Sequence, residues 1–253
     1  MRVETIGPEL RLTLDRPERR NTLDLDTIDA LSAAINQAKD DTAVRVLVLA
    51  AEGSAWCAGA DLASFAAHPD GRQAAMHRFA DAIADLAECP VPVVAAIDGA
   101  VLGGGVALLC AADIAVATNA ASVTLPEAGV GVWPMMVGAL LPRVTTPRVA
   151  MELSITGRKV EAAECVRLGL FSSLAADSAA LVQAVATACA MIGRKSPHAV
   201  RSGRAAWRRH GGNPALRDQM HALADALDHL AQHPDAAEGI SAFFEKRSPR
   251  WST

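Results

Sequence analysis

A carboxyl group with unusually apolar sequence neighbours is the first candidate for chemistry in this chain. Glu127 lies in the segment TLPEAGVG, residues 124–131, and no Lys or Arg occurs within ten residues on either side. A carboxylate in such surroundings loses hydration in its charged form, so its pKa should rise towards the working pH, as a general acid or base requires. Local context alone leaves a helix-capping or surface glutamate equally open.

Two glycine-containing segments could bind an anion with backbone N–H groups. Residues 103–105 are all glycine and precede a helical pattern, so free N–H groups should lie at a helix N-terminus, where the dipole favours negative charge. Residues 57–62, CAGADL, predict a second such turn, with Asp61 able to cap the following helix. Each segment alone could simply be a tight turn. Donors from both turns that met at one oxygen would form an oxyanion hole.

The segments WCAGADL (56–62), VLGGGVAL (101–108) and LPE (125–127) together resemble the enoyl-CoA hydratase/isomerase (crotonase) family. The resemblance extends from the turn at Arg16 to the tail at Lys246. It implies an α/β fold, a crotonase-like spiral of β-β-α units with a helical C-terminal section that builds homotrimers, often paired into hexamers. It also implies an acyl-CoA substrate whose thioester carbonyl is polarised so that an enolate can form. Coenzyme A is then part of the substrate, and no separate cofactor is implied.

The resemblance assigns catalytic roles to three positions. The N–H groups of Ala60 and Gly104 would bind the carbonyl oxygen, and Glu127 would move the proton. Many family members carry another glutamate where this chain has Ala107, which puts ordinary hydration in doubt. Single-glutamate Δ3,Δ2-enoyl-CoA isomerases and single-glutamate hydratase-lyases both exist, so isomerisation and hydration stay open. A non-catalytic acyl-CoA-binding protein is a further alternative, because backbone donors survive the loss of side-chain chemistry.

Further substrate contacts are expected around this centre. Residues 131–136 are bulky where the family is often glycine-rich, which predicts that Trp133, Met135 and Met136 shape the acyl pocket, although simple packing at a helix start is equally open. The resemblance places an aromatic and a lysine from the tail, often of a neighbouring subunit, near coenzyme A. It also places Arg19 or Arg20 near phosphate. His68 or Asp70 could compensate for Ala107. The expected substrate-binding residues are Ala58, Asp61, Leu62, Arg19, Trp133, Met136, Phe243 and Lys246.

The elements that must position these residues follow an α/β rhythm to about residue 177. An alternating segment at 10–14 and two β-branched runs at 44–50 and 91–97 predict strands, and apolar spacings of three and four at 24–39 predict an amphipathic helix. We therefore expect an α/β core over residues 1–177 that carries the site, and a helical section over 178–253. The helices expected in that section span 179–192, 197–209, 214–231 and 235–246.

Composition narrows the possible partners. The chain has 253 residues, 51% of them hydrophobic, and a net charge of −4, so it can bury a large core and has no global attraction to nucleic acid or anionic lipid. The stretch 194–217 holds seven Lys or Arg and no acid, which we interpret as a solvated face or a wall that attracts coenzyme A phosphates. RNA binding by this stretch is a weaker alternative. Bases of single-stranded RNA stack on aromatic side chains, and Trp207 is the only aromatic residue in the stretch.

Other signals favour a cytoplasmic protein without metal or membrane chemistry. Five cysteines lack paired spacing and lie mostly in apolar runs, which indicates reduced, buried thiols, and Cys57 has no identifiable histidine partner. The N-terminus shows no secretory signal, and no uncharged run reaches the roughly 20 apolar residues of a membrane helix. His229 and His233 are four residues apart but have no accompanying glutamate, so a metal site is disfavoured.

Overall fold

The computed structural model describes residues 1–66, 71–211 and 216–250. Its strands are β1 (Arg2–Ile6), β2 (Glu9–Leu14), β3 (Val46–Ala51), β4 (Ala55–Cys57), β5 (Val93–Ile97), β6 (Ala100–Leu102), β7 (Ile114–Thr118), β8 (Ser122–Thr124), β9 (Val160–Glu161) and β10 (Ser173–Ala175). Its helices are α1 (Leu25–Asp40), α2 (Leu62–Ala66), α3 (Gly71–Ala87), α4 (Gly104–Ala111), α5 (Met135–Val144), α6 (Pro147–Thr156), α7 (Ala162–Arg167), α8 (Ser178–Gly193), α9 (Pro197–Gly211), α10 (Leu216–Leu230) and α11 (Pro234–Glu245). Two 3-10 helices, Pro17–Arg19 and Glu127–Val130, complete the described elements.

Three consecutive β-β-α units build the α/β part. Each unit gives its first strand to a six-stranded sheet, ordered β1-β2-β3-β5-β7-β10, and its second strand to a four-stranded sheet, ordered β4-β6-β8-β9. Strands β3, β5 and β7 pair in parallel in the large sheet, and β4, β6 and β8 pair in parallel in the small one. This repeated unit is the spiral expected from the resemblance.

Burial explains which strands are visible in the sequence. In β3 the side chains from Val46 to Leu49 are all buried, and β5 is nearly as enclosed, which suits central parallel strands covered on both faces. The predictions at 44–50 and 91–97 are therefore confirmed to within two residues at each end. By contrast β1 is exposed at every position and is held by antiparallel pairing with β2. Its exposed side chains form no apolar pattern from which a strand could be predicted.

The first long helix begins at a capping residue within one position of the predicted start. Asp24 lies in extended backbone just before α1, and its carboxylate accepts a hydrogen bond from the Thr27 N–H. The buried face of α1 includes Ile28, Leu31 and Ile35, the apolar positions that predicted an amphipathic helix.

From Ser178 onwards every described element is a helix, and these helices pack onto the α/β part. Helix α8 lies against β5 and β7, α10 lies against α3 and α5, and α11 lies against the 3-10 helix Glu127–Val130. The four helices predicted beyond residue 177 are confirmed to within about two residues, although residues 214 and 215 lie outside the described ranges. A domain boundary near residue 177 stays a prediction.

Two arginines of the basic stretch 194–217 have a more internal role than a solvated face. Arg201 donates to the carbonyls of Ala38, Asp41 and Val44, and so satisfies acceptors at the C-terminal end of α1. Arg204 pairs with Asp113. These guanidinium groups connect α9 to the core, and the carboxylate of Asp113 offsets the charge of Arg204.

The cysteines and the apolarity of the helices were also considered from the composition. Four cysteines are buried and Cys189 is partly exposed, and all five are free. Burial raises the pKa of the Cys57 thiol to about 12, so this group is not poised as a nucleophile. Among the described helices, none combines the length and apolarity needed to cross a bilayer.

Candidate active site

The predicted catalytic segments meet at one edge of the small sheet. Strands β4, β6 and β8 are parallel neighbours with β6 in the middle, so their carboxyl ends face the same side. Ala60 follows β4, Gly104 follows β6 and Glu127 follows β8. Clefts at the carboxyl ends of parallel strands are common binding sites in α/β proteins. The β-β-α repeat therefore brings together three positions that lie up to 67 residues apart in the chain.

The two glycine turns are in direct contact. A Cβ at Gly104 would lie 3.2 Å from the Ala60 nitrogen, and a Cβ at Gly59 would lie 2.9 Å from the Gly104 nitrogen. Gly104 is the first residue of α4, where an N–H has no partner within the helix. Within the described ranges, neither the Ala60 nor the Gly104 nitrogen donates a backbone hydrogen bond. Both residues are partly exposed, and their two unpaired amides lie in turns that contact each other.

Close packing explains why the helix start carries three glycines. A Cβ at Gly105 would come within 2.8 Å of the Cys57 carbonyl oxygen, so only glycine lets α4 lie this close to the end of β4. The ring of Phe79, on α3, lies beside Gly104 at 3.1 Å from a Cβ there. Phe79 also makes an edge-to-face contact with Phe65, their ring centroids 6.1 Å apart. This buried aromatic pair supports the turn and was missed in the sequence, because a helical apolar stripe does not show what it packs against.

The Glu127 carboxyl group is buried beside the same helix start. Gly103 has a positive φ of 51°, and a Cβ there would lie 3.1 Å from Glu127 Oε1. Glu127 Oε2 is buried and has no hydrogen-bond partner among the described residues, although the residue as a whole is partly exposed. Burial raises the pKa of Glu127 to about 7, partly offset by a hydrogen bond from its own backbone N–H. The rise expected from the apolar sequence is therefore present, and it suits proton transfer near neutral pH.

Ala107 is fully buried within α4, packed in the main hydrophobic core. Its methyl group offers no proton-transfer chemistry. His68 and Asp70, the residues considered as substitutes, lie outside the described ranges.

The basic turn at residues 16–21 lies next to the turn that follows β4. The Ala58 N–H donates to the Arg20 carbonyl at 3.0 Å, and the Leu23 N–H donates to the Gly59 carbonyl at 2.8 Å. Asn21 fixes this turn from inside, because its buried amide donates to the carbonyls of Glu52 and Ala55 and accepts from the Arg16 N–H. Arg19 and Arg20 are exposed beside it. The structural role of Asn21 has no signal in a single sequence beyond its place in a turn.

The starts of α2 and α5 carry the next group of predicted substrate contacts. Asp61 accepts a hydrogen bond from the Ser64 N–H and so caps α2, as predicted, while the side chain of Leu62 lies outside the described part of the structure. Trp133 and Met135 are partly exposed at the start of α5, whereas Met136 is buried in the core.

The tail residues remain on the surface of the single chain. Phe243 is 66% exposed, and Lys246 is also exposed at the end of α11. Helix α11 contacts the segment carrying Glu127 one turn earlier, through Gly239. Within one chain, Phe243 and Lys246 are therefore not brought to the glycine turns by any described contact.

Within the described part of the chain, no group of three or more His, Cys, Asp or Glu is arranged to hold a metal ion. What the site offers is a pair of unpaired amides and a buried carboxyl group of raised pKa. These groups can bind an anionic oxygen and move a proton at an adjacent atom.

Known proteins share this arrangement of elements. A family described as enoyl-CoA hydratase/isomerase matches residues 10–253. Carnitinyl-CoA dehydratase of Salmonella typhi is 32% identical, over 97% of this chain and 95% of that protein. An enoyl-CoA hydratase from Mycobacterium avium has a TM-score of 0.85 at 34% identity, over 97% of this chain and 94% of that one. A carnitinyl-CoA hydratase from Mycobacterium avium has a TM-score of 0.84 at 27% identity, over 99% and 97% of the two chains. The chain belongs to the enoyl-CoA hydratase/isomerase family.

Proposed function

We propose that this protein is an enzyme that acts on an acyl-CoA thioester through an enolate. The amides of Ala60 and Gly104 bind the thioester carbonyl oxygen, and Glu127 transfers the proton. The observation that carries the proposal is the buried, unpartnered carboxyl oxygen of Glu127 beside the start of α4, where the Gly104 amide lies next to the Ala60 amide of the β4 turn. A buried group without a partner is costly to folding, so its retention favours a functional role.

Each group has a defined task in this reaction. The Glu127 carboxylate removes a proton from the carbon next to the thioester, and the electron pair of that C–H bond moves to form the enolate. Negative charge grows on the carbonyl oxygen, where each backbone donor typically contributes about 3 kcal/mol of transition-state stabilisation. Protonated Glu127 then returns the proton, and its pKa near 7 makes both directions accessible at neutral pH.

Hydration and its reverse, dehydration, are one outcome of this chemistry. Dehydration of a 3-hydroxyacyl-CoA removes a proton from C2 and the hydroxyl group from C3. Glu127 can deliver the proton that it takes from C2 to the departing oxygen. The names of relatives at 32% and 34% identity, a carnitinyl-CoA dehydratase and an enoyl-CoA hydratase, favour this outcome.

Isomerisation is the second candidate, and Ala107 favours it. With a methyl group at this position, no carboxylate there can activate water. A single carboxyl group suffices to take a proton from C2 of a 3-enoyl-CoA and return it to C4, which moves the double bond from C3–C4 to C2–C3, into conjugation with the thioester.

The deciding experiment uses trans-2-enoyl-CoA and 3-enoyl-CoA panels in D2O, with products read by NMR. A 3-hydroxyacyl product identifies hydration, and a shifted double bond identifies isomerisation. Glu127→Gln should lower kcat about 10²- to 10⁴-fold with acyl-CoA binding retained. Glu4→Gln, at an exposed position on β1, is the matched control and should leave kcat unchanged. Binding without turnover or deuterium exchange in the unaltered protein would refute catalysis and support an acyl-CoA-binding protein.

The assembly state belongs to the same proposal. We propose a homotrimer, or a hexamer of two trimers, in which Phe243 and Lys246 approach coenzyme A bound to a neighbouring subunit. The exposure of Phe243 and Phe244, at 66% and 72%, supports burial of these rings in an assembly. Sedimentation velocity should give three or six times the chain mass of 26.3 kDa. A monomer would exclude this arrangement.

A further inference from the structure

Helix α11 touches the segment that carries Glu127 backbone to backbone at two glycines. A Cβ at Gly239 would lie 2.5 Å from the carbonyl carbon and 2.6 Å from the carbonyl oxygen of Val130. A Cβ at Gly131 would lie 2.4 Å from the Asp235 carbonyl oxygen. Real Cβ atoms are not found at such distances from backbone, so this contact exists only because both positions are glycine.

The touched backbone belongs to the same short turn as the carboxyl group. Val130 is the last residue of the 3-10 helix that begins at Glu127. Two hydrogen bonds close this turn onto Glu127 itself, since the N–H groups of Gly131 and Val132 both donate to the Glu127 carbonyl. A shift of Val130 is therefore transmitted to Glu127 within one turn of backbone.

The contact also limits what faces the carboxyl group. The buried face of α11 consists of Ala236, Gly239 and Ala242, none of which can donate a side-chain hydrogen bond. Several charged groups on the two helices that pack on this turn have ion-pair partners of their own. In α11, Asp235 pairs with His233 and Glu238 with Arg247, and in α6 Glu152 pairs with Arg158.

We propose that Gly239 is a positioning residue, which lets α11 lie directly against the Glu127 turn and hold the carboxyl group in its buried place beside α4. This inference rests on the proposed function only for its catalytic consequence. The placement of the carboxyl group can be measured without substrate.

The test compares Gly239→Ala with Gly203→Ala. Gly203 lies on α9, and a Cβ there meets nothing within 4 Å, so the control adds the same methyl group to a helix without a new contact. The titration of Glu127 is followed by NMR in protein labelled with ¹³C at glutamate carboxyl carbons, and its signal is identified by its loss in Glu127→Gln.

We expect the Glu127 midpoint to lie near pH 7 in the unaltered protein and in Gly203→Ala. In Gly239→Ala, displacement of the turn should admit water and lower the midpoint by one unit or more, towards an ordinary value of about 4.3. The same variant should lose about 10²-fold in kcat while KM changes little, because a displacement of about 1 Å affects proton transfer more than binding. Equal titration curves and equal kcat in the two alanine variants would overturn the proposal.

The titration and the activity fail independently. A shifted titration in Gly239→Ala, in a protein that turns over no acyl-CoA, would support the positioning contact and refute the proposed function.

A milder pair covers the case in which Gly239→Ala does not fold. Ala242→Gly weakens the buried face of α11, whereas Ala237→Gly makes the same change on its exposed face. Only Ala242→Gly should shift the Glu127 titration, and an unshifted curve would contradict the proposal.

Discussion

The Cα atom of Gly103 lies directly against the carboxyl group of Glu127. A Cβ at Gly103 would lie 3.1 Å from Glu127 Oε1 and 3.6 Å from its Cδ. One face of the carboxyl group is therefore covered by backbone instead of by a polar side chain. This contact contributes to the loss of hydration that raises the pKa of Glu127, and it links the acid to the helix start that holds the unpaired Gly104 amide.

Replacement of Gly103 by alanine should separate site geometry from backbone strain. Gly103 combines φ 51° with ψ −126°, which side-chain-bearing residues rarely adopt, so Gly103→Ala costs about 1–3 kcal/mol in strain and also presses a methyl group onto Glu127. Gly7→Ala is the control, because Gly7 also has a positive φ but a Cβ there meets nothing within 4 Å. Both variants should lose stability in urea unfolding, Gly103→Ala the more, and only Gly103→Ala should lose kcat, by about 10²-fold. Equal activity in the two variants would show that the contact is unimportant.

The pH dependence of turnover should report the buried acid. As a base, Glu127 works in its charged form, so kcat/KM for proton removal should rise with pH and level off above a midpoint of about 7. The profile is measured with a saturable acyl-CoA substrate across pH 5 to about 9, a range that brackets this midpoint. A midpoint near that of an exposed glutamate, about 4.3, would mean that another group limits the reaction.

Stability should depend on pH in the opposite sense to that of a salt-bridged acid. The folded protein holds the Glu127 proton more tightly than the unfolded chain does, so this group's contribution is fully present below about pH 4 and is lost as pH rises to about 7. The total loss is on the order of 3 kcal/mol. Glu127→Gln removes this dependence on pH. The unfolding free energy of the variant, relative to that of the unaltered protein, should therefore increase by this amount from pH 4 to pH 8. The exposed control Glu4→Gln should show no such growth.

Asn21 should be important for stability although it carries no chemistry. Its buried amide makes three hydrogen bonds to backbone groups, and its φ of 54° lies in the left-handed region that asparagine tolerates. Asn21→Ala should lower the unfolding free energy by about 3 kcal/mol, at roughly 1 kcal/mol for each lost bond. Asn119→Ala, at an exposed turn, should cost far less. A similar small loss in both variants would mean that water replaces these bonds.

The long elements and the buried carboxyl group could be predicted from the sequence for physical reasons. A helix such as α1 repeats its apolar face over several turns, and Glu127 carries its low-polarity surroundings in its own segment. Strands such as β6 and β9, of three and two residues, are too short to show a period. The contacts of Gly239 with Val130 and of Phe79 with Gly104 join distant parts of the chain, so no local pattern records them. The substrate-binding assignments at Arg19, Trp133 and Lys246 stay predictions.

The unpaired amides of Ala60 and Gly104 are main-chain groups, and a point mutation that spares their backbone conformation cannot delete them. Side chains such as those at 107 and 127 can be exchanged one at a time. In the proposed function, the substrate carbonyl is recognised by main-chain groups, and the proton is moved by a side chain that can be replaced. Directed evolution that varies position 107 while leaving the glycines intact could therefore redirect the reaction without rebuilding the fold.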